Sequence, residues 1–144
     1  MKIEPKSIKV RDVFENYVDN GDDGVFAYGG KLAIRPAYQR EFVYDAEQSE
    51  AVMHTILKGF PLNVMYWVKV GDEKFEVLDG QQRTLSVMQY LKHQFPITLD
   101  EKKYYWDALP DDKYDAIMDY EFMVYICEAV SYTHLRAHET DQYL

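Results

Sequence analysis

The feature that most constrains the fold of this chain is residues 74–91, which read KFEVLDGQQRTLSVMQYL. Their first part follows a strand-like pattern that runs up to Asp79. Three apolar residues then recur at helical spacing: Leu85, Met88 and Leu91. Between the two patterns lies Gly80, which permits backbone angles that a side chain would oppose. The stretch therefore predicts a strand that turns at a glycine into a helix over residues 82–91.

Such a turn is a common place to hold an anion. The first amides of a helix have no partners inside the helix and carry partial positive charge, so the helix start at Gln82 is predicted to bind a phosphate. Arg83 and Thr84 can add side-chain donors, and Gly80 would let a ligand approach the main chain. Asp79 repels a polyphosphate unless it holds Mg²⁺, orients a water or accepts from a ribose hydroxyl.

The two glutamines of this turn have two open interpretations. Gln81 and Gln82 could position a water or read the edge of a base. Alternatively, Asp79 merely caps the helix and both glutamines are solvated. The chain contains no Walker-type GxxxxGK[ST] loop, so any nucleotide site here is of another kind.

A second polar motif follows a predicted hairpin. Residues 25–28 and 31–34 are β-rich runs separated by two glycines, which predicts a hairpin. Pro36 lacks a backbone donor, so the ladder should end there. Arg35, Gln39 and Arg40 would then emerge close together, and a guanidinium fork suits phosphate. Pairing of both arginines with surface carboxylates stays open as the alternative.

Three further elements are predicted between and before these motifs. Ser7 is expected to cap a first helix. Asp45, with Gln48 three residues later, predicts a capping box that opens a helix over residues 45–58. Residues 62–70 are apolar almost throughout and predict a central strand covered on both faces.

Composition bounds the class of protein. The chain has 144 residues, enough for one domain with a real core, and its 47% apolar content excludes a disordered chain. The single cysteine, Cys127, excludes a disulfide framework and predicts a reducing cytoplasm. No apolar run approaches the roughly 18–20 residues of a membrane span. The formal net charge of -9 argues against broad nonspecific binding of nucleic acid but leaves room for a local basic pocket.

Together the two motifs carry a family resemblance. IRPAYQREFVYD, a helix ending in KGFPLN, and EVLDGQQRTLSVMQYL occur in this order, and the combination closely resembles the N-terminal domain of GmrSD-type, modification-dependent restriction endonucleases. The resemblance covers about residues 3–128. It implies an α+β fold, a small mixed sheet with packed helices like that of ParB and sulfiredoxin. It also implies nucleotide binding and hydrolysis that drive or license DNA restriction.

The resemblance implicates matching residues, and their roles are our hypotheses. As catalytic groups we predict Asp79, through Mg²⁺ or water, with Gln81 or Gln39 orienting the attacking water. The predicted nucleotide-binding residues are Gly80, Gln82, Arg83, Thr84, Arg40, Tyr38 and Arg35. The expected partners are a nucleoside triphosphate and, through the full-length protein or a nuclease partner, DNA, with no membrane. The alternative is a noncatalytic ParB-like module that binds nucleotide or DNA as a switch.

The end of the chain is predicted to be foreign to the domain. Residues 129–144 include AVSYTHLRAHET, which resembles a translated sequencing-adapter read-through. We therefore expect a domain at residues 1–128, the N-terminal fragment of a longer protein. The spacing of His134 and His138 is not interpreted as a metal site for the same reason.

Overall fold

The computed structural model describes residues 2–37 and 45–128. These residues form four helices, a mixed seven-stranded sheet and a separate two-stranded hairpin, which confirms the predicted α+β class. The strands are β1 (Ile3–Lys9), β2 (Val18–Asp19), β3 (Val25–Ala27), β4 (Leu32–Arg35), β5 (Met65–Gly71), β6 (Lys74–Asp79), β7 (Ile97–Leu99), β8 (Lys102–Tyr104) and β9 (Glu121–Cys127). The helices are α1 (Val10–Phe14), α2 (Ala46–Leu57), α3 (Gln81–Leu91) and α4 (Asp111–Met118).

The order of strands in the large sheet is β1-β9-β5-β6-β4-β3-β2. The β9–β5 and β6–β4 pairs are parallel, and the other neighbours are antiparallel. In the β4–β6 pair, Leu32 lies opposite Phe75 and Ala33 opposite Glu76. Parallel neighbours present their carboxyl ends at the same edge. Consequently β4 and β6 both end at one edge, and the antiparallel β5 begins there with Met65.

Most of the core lies on one face of the sheet. Along β9, Phe122 and Val124 are buried while Met123 between them is 43% exposed, as the period of two requires. The buried strand residues pack in one cluster with buried residues of α2, α3 and α4. At the α2–α3 contact, the buried hydroxyl of Ser86 donates to that of Ser49 at 3.0 Å. This contact joins the middle of α3 to the first turn of α2.

Several local predictions are confirmed. The hairpin forms from β3 and β4, and β4 ends immediately before Pro36. The capping box at the start of α2 is complete, since Asp45 Oδ1 accepts from the Gln48 amide at 2.8 Å and Gln48 Oε1 accepts from the Asp45 amide at 3.1 Å. No helix in the described ranges is both long and apolar enough to cross a membrane.

Two local predictions are wrong. Ser7 does not cap a helix, because β1 pairs with β9 along its whole length and holds Ser7 extended opposite Met123. The strand predicted over residues 62–70 begins only at Met65. Its central place in the sheet is confirmed, but cover along both faces is incomplete, because Tyr66 is 36% exposed although Trp67 and Val68 are both buried. The start is delayed because the Leu62 amide donates to the Tyr120 hydroxyl at 2.8 Å and not to a neighbouring strand.

Candidate functional site

Gly80 forms the turn between β6 and α3. Its φ is +104°, a conformation that L side chains rarely adopt, and it is the N-cap of α3. A Cβ at this position would lie 2.6 Å from Cγ of Met65 and 3.0 Å from its Cβ. The glycine is thus required by the backbone angle and by the packing of Met65 beneath the turn. The helix begins at Gln81, one residue earlier than predicted.

Thr84 closes this turn from inside. Its side chain is 1% exposed, and its Oγ1 lies 2.8 Å from the carbonyl oxygen of Gly80 and 3.4 Å from Sδ of Met65. The hydroxyl hydrogen is used by the carbonyl of its own helix turn. The predicted role of Thr84 as a phosphate donor does not fit this geometry, because its side chain stabilises the turn and does not face solvent.

Asp79 and Arg83 form an ion pair across the first turn of α3. Nη2 of Arg83 donates to Oδ2 of Asp79 at 3.4 Å, and Nη1 donates to the carbonyl oxygen of Asn63. No side chain in the described residues caps α3, so the alternative in which Asp79 caps the helix is wrong. The Arg83 side chain is only 15% exposed, whereas that of Asp79 is 55% exposed. Two of the five guanidinium N–H groups are used by these described partners.

Arg83 also lines a shallow surface groove beside α2. The cavity has a volume of about 280 Å³ and is lined by Gln48, Ala51, Val52, Thr55, Leu62 and Arg83, and we call it the α2 groove. Its four α2 residues lie on one helix face because they are spaced at i, i+3, i+4 and i+7. The groove therefore connects the Arg83 guanidinium with a mainly apolar wall.

The segment that carries Asn63, whose carbonyl accepts from Arg83, is held in place by a distant tyrosine. The Tyr120 hydroxyl donates to the carbonyl of Phe60 at 2.9 Å and accepts from the amide of Leu62, the residue before Asn63. Burial raises the pKa of Tyr120 against the opposing effect of the Leu62 amide, so the hydroxyl remains a donor. Sequence reasoning missed Asn63 and Tyr120. Local sequence carries no signal for them, because Tyr120 lies 58 residues beyond Leu62.

The other predicted arginine of this edge is placed differently. Arg35, at the end of β4, is 3% exposed, and its Nη2 donates to the carbonyl of Gly21 at 2.6 Å. It therefore fastens the turn at residues 21–23 and is not presented at the surface. The remaining predicted residues of this motif, Tyr38, Gln39 and Arg40, lie outside the described residues.

Comparison with known families decides what kind of domain this is. The model of the GmrSD restriction endonuclease N-terminal domain matches residues 12–143. The chain belongs to this family. The match confirms the resemblance and places the chain among domains of restriction, or phage-defence, proteins. The matched range runs past residue 128 into the segment predicted to be foreign, which lies outside the described residues. Neither the curated proteins nor the solved structures give a match.

In this GmrSD-type domain, the remaining predicted groups lie on the first turn of α3. Gln81 and Gln82 are half-buried there, beside Asp79. Within residues 2–37 and 45–128, no three His, Cys, Asp or Glu side chains form a group that could hold a metal ion by themselves. Asp79 is therefore a single exposed carboxylate at the site, and a metal held there would need other oxygen ligands.

Proposed function

We propose that this domain binds a nucleoside triphosphate and hydrolyses it, as part of a protein that restricts DNA. The observation that carries the proposal is the parallel pairing of β4 with β6. Because of it, β4 ends at the same edge as Asp79, and the sequence that follows β4 carries Tyr38, Gln39 and Arg40. Residues 35–37, the described start of the first motif, thus lie at the edge where the second motif begins.

The start of α3 and Arg83 supply the phosphate subsite in this proposal. The helix N-terminus carries partial positive charge, and Arg83 adds a full charge within its first turn. Arg83 is held by Asn63 and Asp79, so little conformational freedom is lost when a ligand binds. Gly80 and Gln82 contribute backbone positions, and residues 38–40 contribute the second clamp.

The buried groups of this edge act indirectly. Arg35 holds Gly21 and so fixes the end of β4, and Thr84 fixes the carbonyl of Gly80. We assign both residues a positioning role, in place of the direct phosphate contact expected from the sequence.

Asp79 is the proposed carboxylate for Mg²⁺ or for the attacking water. One of its oxygens faces Arg83, and the side chain is more than half exposed. Mg²⁺ is commonly held by one or two carboxylates together with phosphate oxygens and waters, so a single carboxylate fits. The ion would neutralise charge on the phosphates. Gln81 or Gln39 orients the water, whose oxygen bonds to the γ-phosphorus as the β–γ bridging bond breaks, releasing a nucleoside diphosphate and inorganic phosphate.

DNA is bound by other parts of the restriction protein in this proposal. The formal net charge of -9 disfavours broad contact between this domain and the phosphate backbone. We therefore assign the nucleotide to this domain and DNA to the full-length protein or a nuclease partner.

One observation favours a second candidate, a nucleotide-dependent switch without turnover. The Asp79 carboxylate is already paired with Arg83, and the described residues offer no second carboxylate that completes a metal-binding group with it. A site of this kind could bind nucleotide and change a partner's state without cleaving phosphate.

The test compares two arginine–aspartate pairs in the full chain. Nucleotide affinity and phosphate release are measured for wild type, Arg83→Ala and Asp79→Ala. Arg11→Ala is the matched control, because Arg11 pairs with Asp119 at 2.7 Å on another surface. We expect Arg83→Ala to weaken binding at least about tenfold, Asp79→Ala to abolish turnover, and Arg11→Ala to change neither.

Each other outcome decides between the candidates. Wild-type binding that is lost in Arg83→Ala but never accompanied by phosphate release establishes the switch. Unchanged binding and turnover in both site variants would remove the nucleotide site from this edge altogether.

A further inference from the structure

The α2 groove has a composition that the phosphate site does not explain. Ala51, Val52 and Leu62 give it an apolar floor, and the guanidinium of Arg83 closes one side. Gln48 and Thr55 stand seven residues apart on α2, or about 10.5 Å along the helix axis. The groove therefore has an apolar middle with a polar group near each end of its helical wall.

We propose that the α2 groove is the base subsite of the nucleotide, and that Gln48 and Thr55 contact opposite ends of the base. This inference rests on the proposed function, since Arg83 is common to both subsites. The part of the ligand that occupies the groove is a flat heteroaromatic base, which binds on the side of Arg83 that faces α2.

The groove is shallow and small, which fits a base better than a whole nucleotide. The cavity of about 280 Å³ lies just below the range of about 300–1,000 Å³ that is typical of sites for drug-sized ligands. It can hold one ring system, while the phosphates extend along the start of α3. Arg83 stands between the two parts, where a planar guanidinium can stack on a base.

The hydrogen-bonding capacity of the two polar groups is complementary. Gln48 uses Oε1 and its backbone amide in the capping box with Asp45, and its Nε2 makes no bond to any described residue. The Thr55 hydroxyl donates to the Ala51 carbonyl at 3.0 Å and keeps its oxygen as an acceptor. The groove thus offers a donor to a ring carbonyl or ring nitrogen and an acceptor to an exocyclic amine.

The packing of Leu62 keeps the groove in shape without a ligand. Its amide is fixed by the Tyr120 hydroxyl, and the next residue, Asn63, receives Arg83. The wall opposite α2 is therefore tied to the same bonds that position the guanidinium. Base and phosphate would therefore be bound by one connected set of residues, which are Leu62, Asn63 and Arg83.

The experiment separates base binding from phosphate binding. Affinities for ATP, GTP, CTP, UTP and inorganic tripolyphosphate are measured by calorimetry on the full chain. Ala51→Phe fills the groove from an exposed helix position, and Ala46→Phe is the matched control on the same helix outside the groove. We expect Ala51→Phe to lower the affinity for the nucleotides at least about tenfold and to leave the affinity for tripolyphosphate unchanged. Ala46→Phe should change neither affinity.

A second variant tests how the base is read. Gln48→Glu keeps the capping box, because glutamate also serves at this position, but removes the Nε2 donor. We expect it to change the ranking of the four nucleotides, while its effect on tripolyphosphate measures the added charge alone.

The failures are distinguishable. If wild type binds nucleotides and tripolyphosphate but Ala51→Phe weakens both equally or neither, the base subsite lies elsewhere and the phosphate site stands. The same conclusion follows if Gln48→Glu leaves the ranking unchanged. If wild type binds none of the five ligands, the proposed function fails and the base subsite fails with it.

Discussion

The starts of α2 and α3 stand beside the same groove and are built in opposite ways. At α2, Asp45 and Gln48 form a complete capping box. At α3, the N-cap is Gly80, no side chain among the described residues caps the helix, and the adjacent Asp79 turns to Arg83 instead. One helix start is completed by its own side chains, and the other carries an exposed carboxylate and a restrained guanidinium.

The difference shows which helix start serves only to stabilise its helix. A capping box typically adds about 1 kcal/mol and stabilises the helix that carries it. At α3 an aspartate lies one residue before the N-cap, where a small shift in register would let it cap. The φ of +104° at Gly80 and the Met65 side chain beneath it prevent that shift. The α3 start is therefore held by packing and not by a side-chain cap.

The largest expected effect comes from filling the α3 turn. Gly80→Ala should lower the free energy of unfolding by about 3–4 kcal/mol, since the added Cβ meets Met65 at 2.6 Å and the backbone stays in a disfavoured conformation. Urea denaturation of the full chain measures the loss.

Gly30→Ala is the matched control for this loss. Gly30 also has a positive φ, of +84°, but a Cβ added at this position would meet nothing within 4 Å. Only backbone strain of about 1–2 kcal/mol is expected. Equal losses in the two variants would show that Met65 does not determine the α3 turn.

The second effect tests the α2 start. Asp45→Ala should cost about 1 kcal/mol, because it removes the acceptor for the Gln48 amide. Asp45→Asn should retain most of the stability, since asparagine is an equally good N-cap. A thermal-unfolding midpoint that falls equally in both variants would contradict the capping role.

These two starts also mark how far the sequence predicts the structure. The Asp45–Gln48 box and the glycine turn at Gly80 are local patterns, and both were predicted correctly. The roles of Thr84 and Arg35 were not, because their bonds to the Gly80 and Gly21 carbonyls depend on the folded backbone. The residue type in a motif does not show whether its hydroxyl or guanidinium group faces solvent or the backbone.

Long-range pairing was the other limit of prediction. The parallel β4–β6 pair, which sets the end of β4 at the edge where Asp79 lies, joins strands separated by the whole of α2 and β5. The same holds for Ser7, whose place in β1 is set by β9 near the other end of the described chain. The resemblance identified the two motifs, whereas the shared edge of β4 and β6 emerged only from the sheet order.

A third, smaller effect concerns pH and the first two turns of α2. Glu50 is partly buried, which disfavours its charge, but the Thr98 amide and the His54 side chain outweigh this and lower its pKa. A lowered folded-state pKa gives stability that is present above the unfolded value of about 4.3 and is lost as the pH falls through the folded-state value.

We therefore expect the stability advantage of wild type over Glu50→Gln to shrink on acidification. Unfolding free energies measured from about pH 6 down to about pH 3 test this. Glu47→Gln, at an exposed first-turn position, is the control and should show a smaller change. An advantage that grows toward acid would reverse the sign and exclude the assigned partners.

The smallest expected effect completes the comparison of the two starts. Asp79→Ala should change the free energy of unfolding by less than about 0.5 kcal/mol, because Asp79 caps nothing, its side chain is 55% exposed and its bond to Arg83 is long, at 3.4 Å. The same substitution at Asp45 costs about 1 kcal/mol, so paired urea titrations of the two variants isolate the cap. If Asp79→Ala proves as costly as Asp45→Ala, its carboxylate stabilises the start of α3, and the case for reserving it for ligand is lost.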